Sequence, residues 1–195
     1  KEELTLDKYM SARMISTPLC LYDCDRFSDA STVIIVSAGD TLDEGTATPI
    51  RIAATSGSVD RYSWDQVEWS AAYDAGPDLW KNTDYRPKDV DTVQFYDGFA
   101  FLPITWLEGL GFCEKGEGHK FIEGGARIAR DGELPLNTAG GQLGAGRLHG
   151  FGFAHEAVTQ LRGKAGERQI PGDPKVAVAT SGGGPMAAAL LLAKD

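Results

Sequence analysis

Residues 176–193 read Val-Ala-Val-Ala-Thr-Ser-Gly-Gly-Gly-Pro-Met-Ala-Ala-Ala-Leu-Leu-Leu-Ala. Val176–Thr180 has the residue types of a strand, and Ser181–Gly184 is a turn. The run from Met186 supports two readings. Its Ala and Leu content favours a helix, whereas a strand paired back across the glycine turn would make it one arm of a hairpin. The choice decides whether the chain ends in a helix or closes a sheet.

Working outward, Thr92–Tyr96 reads as a short strand ending in Asp97-Gly98, and Ile50–Ala54 as another. Ser31-Thr-Val-Ile-Ile-Val-Ser37 is a continuous β-branched run that predicts a strand buried on both faces. Before it, Pro18–Asp25 reads as extended or loop chain. Val67, Ala71, Ala75 and Leu79 form one apolar stripe that predicts a helix over 64–81, weakened in its last turn by Gly76 and Pro77. Phe99–Leu110 reads as a helix ended by Gly109 and Gly111, and Phe153–Leu161 as one stopped at Arg162-Gly163. Strands alternating with helices predict an α/β layered domain, with no internal repeat and no low-complexity linker.

Composition excludes several classes. The 195 residues suffice for one domain with a real core or two small ones. The formal net charge of −9 resides wholly in residues 1–100, while residues 101–195 are neutral and hold 19 of the 24 glycines. An acidic chain without a basic cluster argues against nucleic acid or an anionic membrane as partner. Three cysteines are too few and odd in number for a secreted disulfide framework. No run reaches the roughly 18 apolar residues of a membrane span, and Lys1-Glu-Glu-Leu lacks the basic end of a signal peptide. These features predict a cytoplasmic globular protein.

The glycine-dense segment 137–152, Asn-Thr-Ala-Gly-Gly-Gln-Leu-Gly-Ala-Gly-Arg-Leu-His-Gly-Phe-Gly, leads into a helix, where backbone amides can approach an anionic group. It is not a dinucleotide fingerprint, because Gly144-x-Gly146 is followed three residues later by His149, and no Gly-Lys-Ser/Thr phosphate loop exists. Such loops are more often structural, but Arg147 and His149 give this one chemistry to offer. Tyr96-Asp97-Gly98-Phe99 stands at the carboxyl end of a strand, the usual ligand position in open α/β sheets; its bland reading is packing for Tyr96 and a turn for Asp97. Cys20 and Cys24 lack a second ligand pair at zinc spacing, so no metal site is expected. Cys113 reads as an inert thiol, and His119 and His155 as solvated or satisfied side chains. No Gly-x-Ser-x-Gly elbow is present.

Four ordered motifs resemble the C-terminal half of the thiolase superfamily. Ser28-Asp-Ala-Ser31 is similar to the Ser-Asp-Gly-Ala that opens that half, and Tyr96-Asp-Gly-Phe99 stands where thiolases carry Asn-Glu-Ala-Phe. Asn137-Thr-Ala-Gly-Gly141 followed by Gly146-Arg-Leu-His-Gly150 resembles Asn-x-x-Gly-Gly and Gly-His-Pro-x-Gly, and Thr180-Ser-Gly-Gly-Gly184 resembles Cys-x-Gly-Gly-Gly. Met14–Asp23, Trp106–Cys113 and Gly163–Gln169 are similar to segments of the lipid-transfer-protein branch, relatives of sterol-carrier-protein-type thiolases, some members of which are steroid side-chain aldolases. The resemblance implies a thiolase-like C-terminal domain over 28–195, with a mixed five-stranded sheet layered with helices. Residues 1–27 are then a connecting segment from a missing N-terminal thiolase half. It also implies that Met186–Ala193 is a strand.

The functional implication is an aldolase that cleaves a β-hydroxyacyl-CoA of a sterol or lipid side chain. The thiolase His aligns with Arg147 and the acid/base Cys with Thr180, neither of which is a general base. The resemblance implies Tyr96, His149 and Arg147 as catalytic residues, with Arg147 as the cation beside Tyr96. Asp97, Gly98, Gly150, Thr180 and Gly182 are implied in substrate binding. No cofactor beyond the acyl-CoA substrate is implied. Partners would be a second copy in a homodimer, a small OB-fold, zinc-ribbon protein and the missing half, without which the 195-residue chain would be inactive. The alternatives are an acyl-CoA thiolase or acyltransferase, and a non-catalytic lipid or acyl-CoA carrier.

Overall fold

Val176–Gly182 and Met186–Ala193 form the hairpin at the centre of a four-stranded sheet in the computed structural model, which describes residues 3–41, 48–59 and 70–194. In chain order the elements are α1 (Leu6–Met10), β1 (Met14–Ser16), β2 (Leu19–Cys20), β3 (Arg51–Val59), α2 (Ala72–Lys81), β4 (Thr92–Gln94), α3 (Leu102–Gly109), α4 (Gly118–Ile122), α5 (Gly141–Ala145), α6 (Phe151–Leu161), β5 (Val176–Gly182) and β6 (Met186–Ala193). The sheet order is β3-β6-β5-β4, mixed, with β4 parallel to β5 and β6 antiparallel to both β5 and β3. A separate two-stranded ribbon pairs β1 with β2.

Burial on both faces makes β6 a strand rather than a helix. Ala187, Ala189 and Leu191 join Val176 and Val178 in the core beneath α2 and α3, while Leu190 and Leu192 join Ala177 and Ala179 beneath α6. Helix propensity differs by under ~0.7 kcal/mol between ordinary residues. Fully burying one Leu contributes roughly 1.5–3 kcal/mol, so packing wins. The layers are α2 and α3 on one face and α6 on the other. Trp106 of α3 is fully buried against Phe95, with ring centroids 6.4 Å apart. Helices α2 and α3 approach backbone to backbone at Gly76 and Gly109, where a side chain on either would overlap the other helix.

The sheet has four strands among the described residues, not five. The fifth position beside β4 is reduced to one bridge, Val93 to Leu136. Pro135 has no N–H to give, and Asn137 turns the chain away at φ 51°. The Asn137 side chain replaces the missing pairing: its Oδ1 accepts from Phe95 N at 2.7 Å and its Nδ2 donates to Phe95 O at 2.9 Å.

The predicted strand 31–37 is also absent. Residues 28–38 have no regular structure, and Val33 and Ile35 are 80% and 88% exposed. Strand preference is a preference for a packed, pleated surface, and this run pairs with no strand of the described residues. The predicted helix 64–81 is observed from Ala72; its first part, with Val67, lies outside the described residues.

Behind the sheet a polar network ties α6 to the glycine-rich loops. Glu156, 2% exposed, accepts from Thr138 Oγ1 at 2.8 Å, Gln160 Nε2 at 3.0 Å and Arg168 Nη2 at 3.1 Å. Burial pushes the Glu156 carboxyl up, but these donors and the Arg168 charge outweigh it and hold it below its ordinary value of 4.5. A lowered folded-state value means stability that is present above pH 4.5 and lost as pH falls through the folded value. Glu156→Gln is therefore expected to cost about 1–3 kcal/mol at pH 7 and to flatten the acid limb. Thermal midpoints measured from pH 7 downwards check this; parallel acid limbs for the two proteins would contradict it.

Candidate active site

The carboxyl ends of β3, β4 and β5 and the start of β6 surround a cavity of about 570 Å³. It is lined by Tyr96 and Gly98, which follow β4, by Arg147 and His149 of the loop before α6, and by Gly182 at the end of β5. Val59, Phe99, Leu102 and Met186 give the cavity an apolar side. Ser181 also lines it, a residue the sequence reading passed over.

Tyr96 is 7% exposed, its ring edge-on to Phe153 of α6 at 6.3 Å. Gly98 leaves room for that ring, since a Cβ there would sit 2.7 Å from Tyr96 Cε1. The phenol reaches His149, with Oη 3.4 Å from Nδ1. Arg147 does not stand beside Tyr96 as expected from the sequence. Its Nε donates to His149 Nε2 at 3.0 Å, so the imidazole lies between guanidinium and phenol. Asp25 lies on the far side of Arg147, with Oδ2 3.3 Å from Nη1.

Three predicted substrate-binding residues do not line the cavity and instead support it. Asp97, 3% exposed, accepts from Gln142 N at 2.7 Å and Leu143 N at 3.5 Å, which holds the first turn of α5. Burial raises its carboxyl above the ordinary range, and those amide bonds only partly offset the rise. Thr180 Oγ1 accepts from Tyr96 N at 2.8 Å and is 3% exposed, so its hydroxyl fixes the Tyr96 backbone. Gly150 begins α6 at φ 95°, and a Cβ there would meet Ser181 at 2.8 Å. Gly182, on the cavity wall, has its carbonyl bound by Trp106 Nε1 at 2.9 Å.

The cysteines stay away from this wall. All three are free thiols, and none lines the cavity. Burial, with the Glu108 charge, pushes Cys113 up to about 11, the value of an unreactive thiol. His119 and His155 are exposed. Among the described residues no group of His, Cys, Asp and Glu could hold a metal ion, and no helix is long and apolar enough to cross a membrane.

Residues 54–193 match the family described as thiolase C-terminal domain-like. An acetyl-CoA acetyltransferase of Methanothermobacter thermautotrophicus is 36% identical over 87% of this chain and 46% of its own length. A steroid side-chain-cleaving aldolase of Thermomonospora curvata is 32% identical over 98% of this chain and 50% of its own. A solved structure titled "Ltp2-ChsH2(DUF35) aldolase" superposes with a TM-score of 0.85 at 29% identity, over 98% of this chain and 52% of that one. The chain thus spans about half the length of the curated relatives it matches.

Proposed function

Because the chain belongs to the thiolase C-terminal domain-like family, we propose that it forms one half of an aldolase active site that cleaves a β-hydroxyacyl-CoA of the steroid side-chain kind. Similarity to the steroid side-chain-cleaving aldolase supports the substrate class. The observation that carries the reading is the row Tyr96–His149–Arg147 in a cavity also lined by the apolar side chains of Val59, Phe99, Leu102 and Met186.

Retro-aldol cleavage needs a base at the β-hydroxyl and stabilisation of the enolate formed at the thioester. Tyr96, entering the step as its phenolate, takes the hydroxyl proton on Oη, the β-oxygen forms the new carbonyl, and the bonding pair between Cα and Cβ moves into the thioester as an enolate. The proton then returns to Cα, leaving a carbonyl product and a shortened acyl-CoA. Arg147 and the amide of Gly182 hold the thioester oxygen, with Gly150 shaping the wall through its contact with Ser181; Met186, Phe99 and Leu102 hold the apolar part of the substrate. Asp97 and Thr180 shape the site from behind, and Gly98 admits the Tyr96 ring. No cofactor enters this scheme.

Residues 28–195 serve as the C-terminal domain and residues 1–27 as the segment arriving from a preceding thiolase half. A cytoplasmic homodimer completes the site, together with a small OB-fold, zinc-ribbon partner, in line with the two component names borne by the similar solved structure. The 195 residues alone are then inactive. Similarity to an acetyl-CoA acetyltransferase favours acyl transfer as a second reading. Mass analysis of products from the full-length protein, assayed with its zinc-ribbon partner, and a steroid β-hydroxyacyl-CoA separates the two. A ketone with a shortened acyl-CoA, formed without added CoA, supports the aldolase; no cleavage, or cleavage only with free CoA, overturns it.

A further inference from the structure

His149 is held in the left-handed region at φ 48°, which a β-carbon-bearing residue seldom adopts. Two side chains impose it: Gln142 Oε1 accepts from His149 N at 2.9 Å, and Ser181 Oγ donates to His149 O at 3.2 Å. The ring is thereby aimed at Tyr96. Its protonation pattern follows from its other neighbour. Arg147 Nε can only donate, so His149 Nε2 accepts and carries no proton. In the neutral ring the proton must then sit on Nδ1, the nitrogen facing Tyr96 Oη. Imidazole N–H thus points at the phenol oxygen and leaves the cavity side of that oxygen free for exchange of a proton with substrate.

Arg147 is itself placed by a distant stretch of chain. Asp25 lies 122 residues earlier, its side chain 12% exposed with Oδ1 and Oδ2 at 3.5 and 3.3 Å from Arg147 Nη1. The backbone around it is stitched to both walls of the site: Asp25 N donates to Gly98 O at 3.1 Å, and Arg147 N donates to Arg26 O at 3.0 Å. Cys24 bridges to Phe99. We propose that Asp25 is a positioning residue for the reaction, holding the Arg147 guanidinium against His149 Nε2 and so fixing the imidazole as the Nδ1–H tautomer that donates to Tyr96 Oη. Its catalytic consequence rests on the aldolase reading; the tautomer does not.

The test uses the full-length protein labelled with ¹⁵N-histidine, with His149→Asn identifying the signal. Long-range ¹⁵N–¹H spectra of the wild type are expected to show His149 as the Nδ1–H tautomer, and Asp25→Ala to show a mixture with the Nε2–H form. Cleavage kinetics are expected to show kcat lowered about tenfold to a hundredfold in Asp25→Ala with KM within about twofold. Asp25→Asn, which keeps the volume, falls between and guards against a folding defect. A wild-type Nε2–H tautomer, a tautomer unmoved by Asp25→Ala, or a shifted tautomer with unchanged kcat each overturns the proposal. An inactive wild type would sink the aldolase reading instead, and the nitrogen shifts would still decide the Asp25 contact.

Discussion

Tyr96→Phe in the full-length protein is expected to lower kcat for β-hydroxyacyl-CoA cleavage by about 10²–10⁴-fold, the range of a positioned general acid or base. KM should change little. The ring would still pack on Phe153 and fill the space left by Gly98, and Thr180 would still hold the backbone. Only the oxygen 3.4 Å from His149 Nδ1 is lost, so the fold gives the variant no other reason to fail. Steady-state kinetics on purified wild type and variant decide it. Cleavage at the wild-type rate would remove Tyr96 from the chemistry.

Trp106→Ala should be the most damaging core substitution. The side chain is fully buried and its Nε1 holds Gly182 O. Removing a buried Trp costs about 3–5 kcal/mol through lost contacts and the residual cavity, and the half-buried Gly182 carbonyl loses a hydrogen bond that contributes about 1 kcal/mol. For a chain of this size that is a fall in thermal midpoint on the order of 10 °C. Trp106→Phe should fall between, keeping most of the volume but not the donor. A midpoint shift of a degree or two for Trp106→Ala would show that Trp106 is not the keystone of this face.

What the sequence reveals and conceals divides along physical lines. The α6 helix and the apolar stripe through Ala71, Ala75 and Leu79 are legible because their burial follows helical spacing. The last strand is not legible from propensity, since Ala and Leu favour a helix and the partners that override them come from two other segments. The run 31–37 fails for the converse reason: its residues suit a strand, but pairing needs a neighbour that local sequence does not name. At the site, Tyr96, Gly98, Arg147, His149 and Gly182 reach one cavity because each belongs to a motif at a strand or helix end. Asp25 carried no comparable signal. It sits in a segment with no motif of its own, and its contact with Arg147 exists only once the chain has folded back across 122 residues.

The Asn137 side chain has a consequence for how this sheet meets other molecules. Beyond β4 the exposed row of backbone donors and acceptors, which elsewhere invites an incoming chain to polymerise onto it, is closed off by the Leu136 bridge and the two amide bonds to Phe95. Among the described residues, β3 is the terminal strand on the opposite side and has no second strand partner. Among the described residues, growth of the sheet by strand addition is therefore one-sided, open past β3 and closed past β4. A single carboxamide acts here as a stopper.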